Sequence, residues 1–157
     1  MDSIGHPEAD AWHEAGHAVV ARLLGGRVVG VTLDSELEDL DGHAAIQWRA
    51  RDERELASLS GRVALGGPLA ELAFRGDQDL EEPDVLAAWE ADWDEVERAA
   101  AVVEPRPVER VAVIRRWIDE VRALVTDSHV EERIARVADA LDAHRSLDED
   151  LFEDCLA

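Results

Sequence analysis

Residues 7–24, PEADAWHEAGHAVVARLL, are predicted to form one helix that carries two histidines four residues apart. Pro7 suits the first helical position, and the acidic residues of the first turn complement the helix dipole. Gly25-Gly26 follow directly and are expected to end the helix. The two histidines and the glutamate between them are therefore expected to lie on a single helix with clear boundaries.

Within this helix, His13-Glu14-Ala15-Gly16-His17 matches the pattern H-E-x-x-H. A spacing of four brings both imidazoles to one helix face, with β-carbons about 5–6 Å apart. Two nitrogens at that separation can converge on one zinc ion at ~2.0–2.1 Å. Glu14 suits a general base that takes a proton from water activated by the metal. The motif predicts a zinc site with His13 and His17 as ligands and Glu14 as the catalytic carboxylate.

A catalytic zinc needs a third protein ligand, and its position distinguishes the subclasses of peptidase. The metzincin pattern would require glycine and histidine where this chain has Val20 and Leu23, so that subclass is excluded. A thermolysin-like site would take a glutamate from a later helix, but Glu36 and Glu38 fall in an acidic loop. An aspartate or glutamate on a later helix is the better candidate.

The segments after the first helix predict a small sheet followed by helices. Val28–Leu33 and His43–Trp48 are expected to be strands, joined by the acidic loop 34–41. Helical spacing follows from Glu53 to Phe74, and Gly66-Gly67-Pro68 predicts a break or kink within it.

Helical patterns dominate the second half of the chain. We expect a helix from Asp84 to Val103 and an amphipathic helix from Val108 to Val125. The apolar stripe of the second helix is predicted to consist of Val111, Ile114, Ile118, Val121 and Val125.

Two further helices are expected to begin at capping boxes, formed by Ser128 with Glu131 and by Ser146 with Glu149. The predicted fold class is α+β and mostly helical, with a zincin-like active-site helix, a small β-sheet and a C-terminal helical bundle. We expect a single domain over residues 1–157, made of a metal-site core at 6–104 and a helical C-terminal part at 105–157.

Composition narrows the classes of partner. The chain has 157 residues, of which 46% are hydrophobic, enough to bury a core. Its 37 acidic and 16 basic residues give a charge of -21, which argues against nucleic-acid or membrane partners. The hypothesis of a nucleic-acid mimic rests on that charge alone. The sequence predicts a cytoplasmic protein, because it has one cysteine, no apolar run of membrane-spanning length and no signal-peptide pattern.

Three segments together resemble the FtsH-type zinc peptidases. Residues 11–21, AWHEAGHAVVA, are similar to the active-site helix of that family. Residues 66–76, GGPLAELAFRG, are similar to its Gly-Gly-x-x-Ala-Glu helix, although Pro68 and Leu69 replace an arginine and a small residue. Residues 91–100, ADWDEVERAA, fit its later helix, which an aspartate opens. The likeness covers about residues 8 to 104.

The resemblance implies that Asp92 is the third zinc ligand, 75 residues after His17. Asp79, Asp84 and Asp94 are nearby alternatives. Glu71 is expected to orient a ligand histidine rather than bind the metal, or else to form a cap or a surface ion pair.

The function implied is a zinc-dependent metallopeptidase, a metalloendopeptidase acting on peptides or unfolded proteins. His43–Trp48 would then be an edge strand beside the zinc, to which an extended substrate could add. FtsH-type proteins also carry membrane helices and an AAA+ ATPase module; this sequence has neither, so a separate ATPase or adaptor is a further expected partner. The alternative is a catalytically silent binding or regulatory module.

Overall fold

The computed structural model describes residues 7–34, 44–76, 86–87 and 89–157. Over these residues the chain forms six helices and one three-stranded antiparallel sheet, which confirms the prediction of a mostly helical α+β fold. In chain order the elements are α1 (Pro7–Leu23), β1 (Arg27–Thr32), β2 (Ala44–Gln47), α2 (Glu53–Arg75), α3 (Glu90–Val103), α4 (Pro107–Val125), α5 (Ser128–His144), β3 (Ser146–Asp148) and α6 (Glu149–Leu156).

Helix α1 is the central element, packed against α2 on one side and α5 on another. Its small residues let α2 approach closely: a β-carbon added at Gly16 would lie 2.5 Å from the carbonyl oxygen of Gly66. Any larger side chain at Gly16 would push the two backbones apart. This glycine contact therefore allows the two helix backbones to pack this closely.

The sequence predicts a break or kink at Gly66-Gly67-Pro68; helix α2 is continuous through these residues, so there is no break. Pro68 removes one backbone hydrogen bond, which is costly in an exposed helix. Here all three residues are buried between α1 and the rest of the core, and tertiary packing outweighs the local preference. The helix ends at Gly76, which adopts φ 79°, a left-handed conformation that glycine takes without strain.

The sheet has the order β2-β1-β3. The two predicted strands pair antiparallel, with Arg27 opposite Gln47 and Val31 opposite Ala44. In the described part of the sheet, β2 lies at an edge, as expected. His43 and residues 35–41 of the acidic loop lie outside the described residues.

The sequence missed β3, which pairs with the other side of β1. Ser146 was expected to cap a helix but lies in this strand, opposite Thr32. The N-cap of α6 is Asp148, whose carboxylate accepts a hydrogen bond from the Leu151 amide. Likewise the N-cap of α5 is Asp127 instead of Ser128. An aspartate lay one or two residues from each predicted serine, and its charge suits a helix N-terminus.

The buried face of α4 differs from the predicted stripe at one end. Val111 is 54% exposed, so its assignment to the core is wrong. The face is centred on Trp117, whose ring packs directly on Gly61 of α2 and turns the buried side away from Val111. The buried residues of α4 are Val113, Ile114, Trp117, Ile118, Val121 and Val125.

The C-terminal part contributes to the same apolar core as the metal-site helices, and β3 joins it to the sheet. Exposed ion pairs add to this contact, between Arg27 and Glu149 at 2.6 Å and between Arg22 and Glu153 at 2.9 Å. Among the described residues no helix combines the length and apolar character that a membrane span needs.

Candidate metal centre

Helix α1 places the two motif histidines side by side in the interior. His13 and His17 are 9% and 6% exposed, and their ring centroids are 4.8 Å apart. The separation of four residues puts both rings on the helix face that packs against α2. Histidine is seldom this buried without a partner for each ring nitrogen, so the partners decide what the pair can do.

Helix α3 brings Asp92 to both rings from its first turn. One carboxylate oxygen lies 2.8 Å from Nε2 of His13, and the other lies 3.3 Å from Nε2 of His17. The three residues form a group that can hold a metal ion, with donor atoms within 4.8 Å of one another. Of the predicted alternatives, Asp94 is exposed and outside this group, whereas Asp79 and Asp84 lie outside the described residues.

The remaining nitrogen of each ring is held by α2. Nδ1 of His17 lies 2.7 Å from the carbonyl oxygen of Val63, which can only accept a hydrogen bond. Nδ1 of His13 lies 2.9 Å from an oxygen of Glu71. When the rings are neutral, the protons therefore reside on Nδ1, and the lone pairs of both Nε2 atoms are directed at Asp92. Fixing the tautomer in this way is how partners of metal-binding histidines raise ligand basicity.

Glu71 occupies the place that the resemblance implied for an orienting carboxylate. It is 5% exposed, and one oxygen contacts His13 while the other pairs with the guanidinium of Arg75. The expected alternative of an ion pair is thus also present, but the carboxylate is buried. Arg75 neutralises a charge that would otherwise be costly at this depth.

Gly67 lies against the ligand atoms, which the sequence analysis did not predict. A β-carbon at this position would be 2.6 Å from Nε2 of His13, and closer still to Nε2 of His17. Val63, Gly67, Glu71 and Arg75 are spaced by four, so one face of α2 carries the partners of both Nδ1 atoms, Val63 and Glu71, together with Gly67. That spacing, in register with the predicted helix, is the signal that could have identified Gly67 in advance.

The charges of the cluster shift its pKa values strongly. Burial lowers the pKa of His13, but hydrogen bonds to Asp92 and Glu71 outweigh it and raise the pKa to about 10. Burial also opposes the charged form of His17, yet the carboxylate of Asp92 raises the pKa of this histidine too. Burial raises the pKa of Asp92, but the two histidines outweigh it and hold that pKa well below its usual range. Without metal, the carboxylate of Asp92 and the protonated ring of His13 compensate one another, and a bound cation would replace that proton.

Glu14, the predicted catalytic residue, lies beside the cluster on α1 and is half-buried. Its negative charge contributes to the raised pKa values of both His13 and His17, so the carboxylate is within electrostatic reach of the rings. The ring of Trp89 lies 6.2 Å from that of His13 and borders the same region. The remaining described histidines, His129 and His144, are exposed.

The donor types of the cluster, two imidazole nitrogens and a carboxylate oxygen, are those that zinc takes in proteins. Bonds of ~2.0–2.1 Å place the ligand atoms of a tetrahedral site about 3.3–3.4 Å apart. The separation between Nε2 of His17 and one oxygen of Asp92 is 3.3 Å, and that between Nε2 of His13 and the other oxygen is 2.8 Å. Because the donor atoms lie within 4.8 Å of one another, small shifts of the side chains would bring them around one ion.

A comparison with models of known protein families and with curated proteins finds no match to this chain. The resemblance to FtsH-type peptidases therefore rests on the three sequence segments alone.

Proposed function

We propose that this protein binds zinc through His13, His17 and Asp92 and hydrolyses peptide bonds, as a metallopeptidase of the FtsH type. The observation that carries the proposal is the convergence of two histidine Nε2 atoms on one carboxylate. Both Nδ1 atoms are already hydrogen-bonded to α2, and the three donors come from two different helices. A chance pair of surface histidines would not bury both rings and supply a partner for every nitrogen.

Two imidazoles and one carboxylate favour zinc among the common metals. Zinc prefers such nitrogen and oxygen donors, and its catalytic sites use three protein ligands with one position left for water or substrate. Calcium and magnesium prefer oxygen ligands in larger number. The described donor set has the composition and number of a catalytic zinc site.

Glu14 is proposed to act as the general base and then as the general acid. When bound, zinc polarises the scissile carbonyl and lowers the pKa of water towards 7. The carboxylate of Glu14 removes a proton from the attacking water and later donates it to the leaving amine. Its position one residue after His13 directs it to the same region without making it a ligand. The Glu71 and Val63 contacts keep the two rings in place while that proton moves.

The substrate class proposed is a flexible peptide or an unfolded protein. β2 lies at the edge of the described sheet, and an extended chain can add to such an edge through main-chain hydrogen bonds. A separate ATPase or adaptor that delivers unfolded protein is the further partner proposed.

The test combines metal analysis with three matched variants. After dialysis against a weak chelator, we expect close to one zinc per wild-type chain and per Glu14→Gln chain, and none in His17→Ala. On unstructured peptides, Glu14→Gln should be slower by about 10²–10⁴-fold, because it keeps shape but loses basicity. Glu153→Gln, which alters an exposed carboxylate in α6, serves as the control and should match the wild type.

Each alternative has its own result in this test. Zinc-loaded wild type that cleaves none of a broad set of peptides would favour the binding or regulatory module. Equal cleavage by wild type and Glu14→Gln would mean that Glu14 is not the base. Failure of the wild type to bind zinc would remove the proposal altogether.

A further inference from the structure

Helix α2 approaches the ligand nitrogens more closely at Gly67 than any side chain would allow. The three nearest atoms to a β-carbon built at Gly67 are Nε2 of His17, Nε2 of His13 and Cδ2 of His13. The distances from that β-carbon to the His13 atoms are 2.6 and 2.7 Å, and real β-carbons essentially never lie under 3.0 Å from another heavy atom. A methyl group at Gly67 would therefore have to displace both rings.

We propose that Gly67 is a positioning residue for the metal, because its missing side chain leaves the space beside both Nε2 atoms that the ion needs. This inference rests on the proposed zinc binding. A zinc ion lies ~2.0–2.1 Å from a histidine nitrogen that binds it. The added methyl carbon would lie 2.6 Å from Nε2 of His13, which is only slightly farther. The methyl group and the ion would therefore occupy overlapping space next to the two Nε2 atoms.

The neighbouring glycine has a different role and provides the matched control. A β-carbon at Gly66 would meet the carbonyl oxygen of Gly16 and the side chain of Val20, with a shortest distance of 3.0 Å. Gly66 therefore contacts only α1 backbone and Val20 among its nearest atoms, whereas the three nearest atoms at Gly67 all belong to the two histidine rings. Glycine is a poor residue within a helix, so each substitution by alanine also favours the helix locally.

The first experiment titrates Zn²⁺ against metal-free protein by calorimetry with a competing chelator. We expect Gly67→Ala to bind Zn²⁺ about 100-fold more weakly than wild type or worse, at the upper end of losses seen when groups supporting a metal ligand are changed. Gly66→Ala should stay within a few fold of wild type, on protein shown to be folded by circular dichroism. Reduced affinity in both variants would mean that helix packing, and not the space at Gly67, is responsible.

The two proposals fail in different ways. Wild-type protein that binds no Zn²⁺ overturns the proposed function and, with it, this inference. Wild-type binding with unchanged affinity in Gly67→Ala overturns the inference alone.

A second measurement decides the matter if Gly67→Ala does not fold. Thermal unfolding is compared between His13→Ala/His17→Ala and the same protein with Gly67→Ala added. Because the atoms that the methyl would meet are then gone, the added alanine should leave the melting temperature unchanged or raise it. A melting temperature that falls when Gly67→Ala is added to the double variant would show that the core itself requires Gly67 and would overturn the inference.

Discussion

The metal centre and the C-terminal region bury their residues in opposite ways. Between α1, α2 and α3, polar groups are buried and each ring nitrogen of His13 and His17 meets an oxygen atom. In α5 and α6, the buried side chains are all apolar, and the ion pairs to α1 and β1 stay at the surface. Buried polar groups stabilise only when every partner is present, whereas apolar burial tolerates exchange. Changes in the first region should therefore alter binding, and changes in the second should alter stability.

The largest effect that we expect is a pH dependence of the metal-free protein that arises in the metal centre. The pKa of His13 is raised from 6.5 to about 10 in the folded state. A raised folded-state pKa contributes stability that is complete below pH 6.5 and is lost as the pH rises towards 10. The chain contains no lysine and no tyrosine, so few other side chains titrate in this window. Urea unfolding between pH 6 and pH 10 should show a steady fall in the free energy of unfolding.

Zinc and Asp92 provide the two controls for this pH profile. Zinc requires deprotonated rings, so the stability gained on adding it should grow as the pH rises. Asp92→Asn removes the charge that holds the protons, and its metal-free profile should be flatter than that of wild type. A flat wild-type profile would contradict the picture of protonated rings around a carboxylate.

Phe152→Ala tests whether a change in the C-terminal region lowers stability without altering zinc binding. Phe152 is completely buried in α6, far along the chain from the histidines. Truncation of a buried phenylalanine typically costs about 3–5 kcal/mol, so unfolding should shift markedly to lower denaturant. Zinc affinity of the remaining folded protein should stay at the wild-type value. A matching loss of zinc affinity would mean that the two regions are coupled through the shared core.

The sequence predicted those parts of the structure that depend on local patterns. The helix over residues 7–24, the pairing of the first two strands and the mostly helical fold follow from periodicity and from glycine or proline at the boundaries. The break at Pro68 was a local inference too, but the contact of Gly16 with Gly66 is tertiary and keeps α2 continuous. Strand β3 has only three residues, and its strand character comes from pairing with β1.

The same distinction holds at the metal centre. His13 and His17 share a motif within five residues, so their proximity follows from helical geometry alone. Asp92 came from the resemblance to a family, and the structure brings its carboxylate to both rings. The spacing by four places Val63 and Gly67 on the same face of α2 as Glu71, but how closely that face approaches the histidines depends on tertiary packing, which local patterns do not predict.

Glu71→Gln is a smaller change, and it tests whether the charge of Glu71 supports zinc binding. The glutamine keeps an oxygen for Nδ1 of His13 but loses the negative charge that makes the ring a stronger ligand. We expect zinc affinity to fall about 10–100-fold, equivalent to about 1.4–2.7 kcal/mol, with the fold retained. Glu153→Gln removes a carboxylate from an exposed ion pair with Arg22 and is the matched control. Comparable affinities in the two variants would deny Glu71 any part in supporting the metal.

The smallest effect that we expect is on stability, at the N-cap of α5. Substitution of Asp127 should destabilise the protein, whereas substitution of the adjacent Ser128 should not. The carboxylate of Asp127 accepts hydrogen bonds from the amides of His129 at 2.9 Å and Val130 at 3.2 Å. Asp127→Ala should cost about 1 kcal/mol, the usual value for a lost N-cap, and lower the melting temperature by about 2–4 °C. Ser128→Ala should have an effect within about 0.5 kcal/mol, because Ser128 is exposed and the cap is Asp127. A larger loss of stability in Ser128→Ala than in Asp127→Ala would identify Ser128 as the cap. A change of zinc affinity in either variant would show that the C-terminal region affects the metal centre.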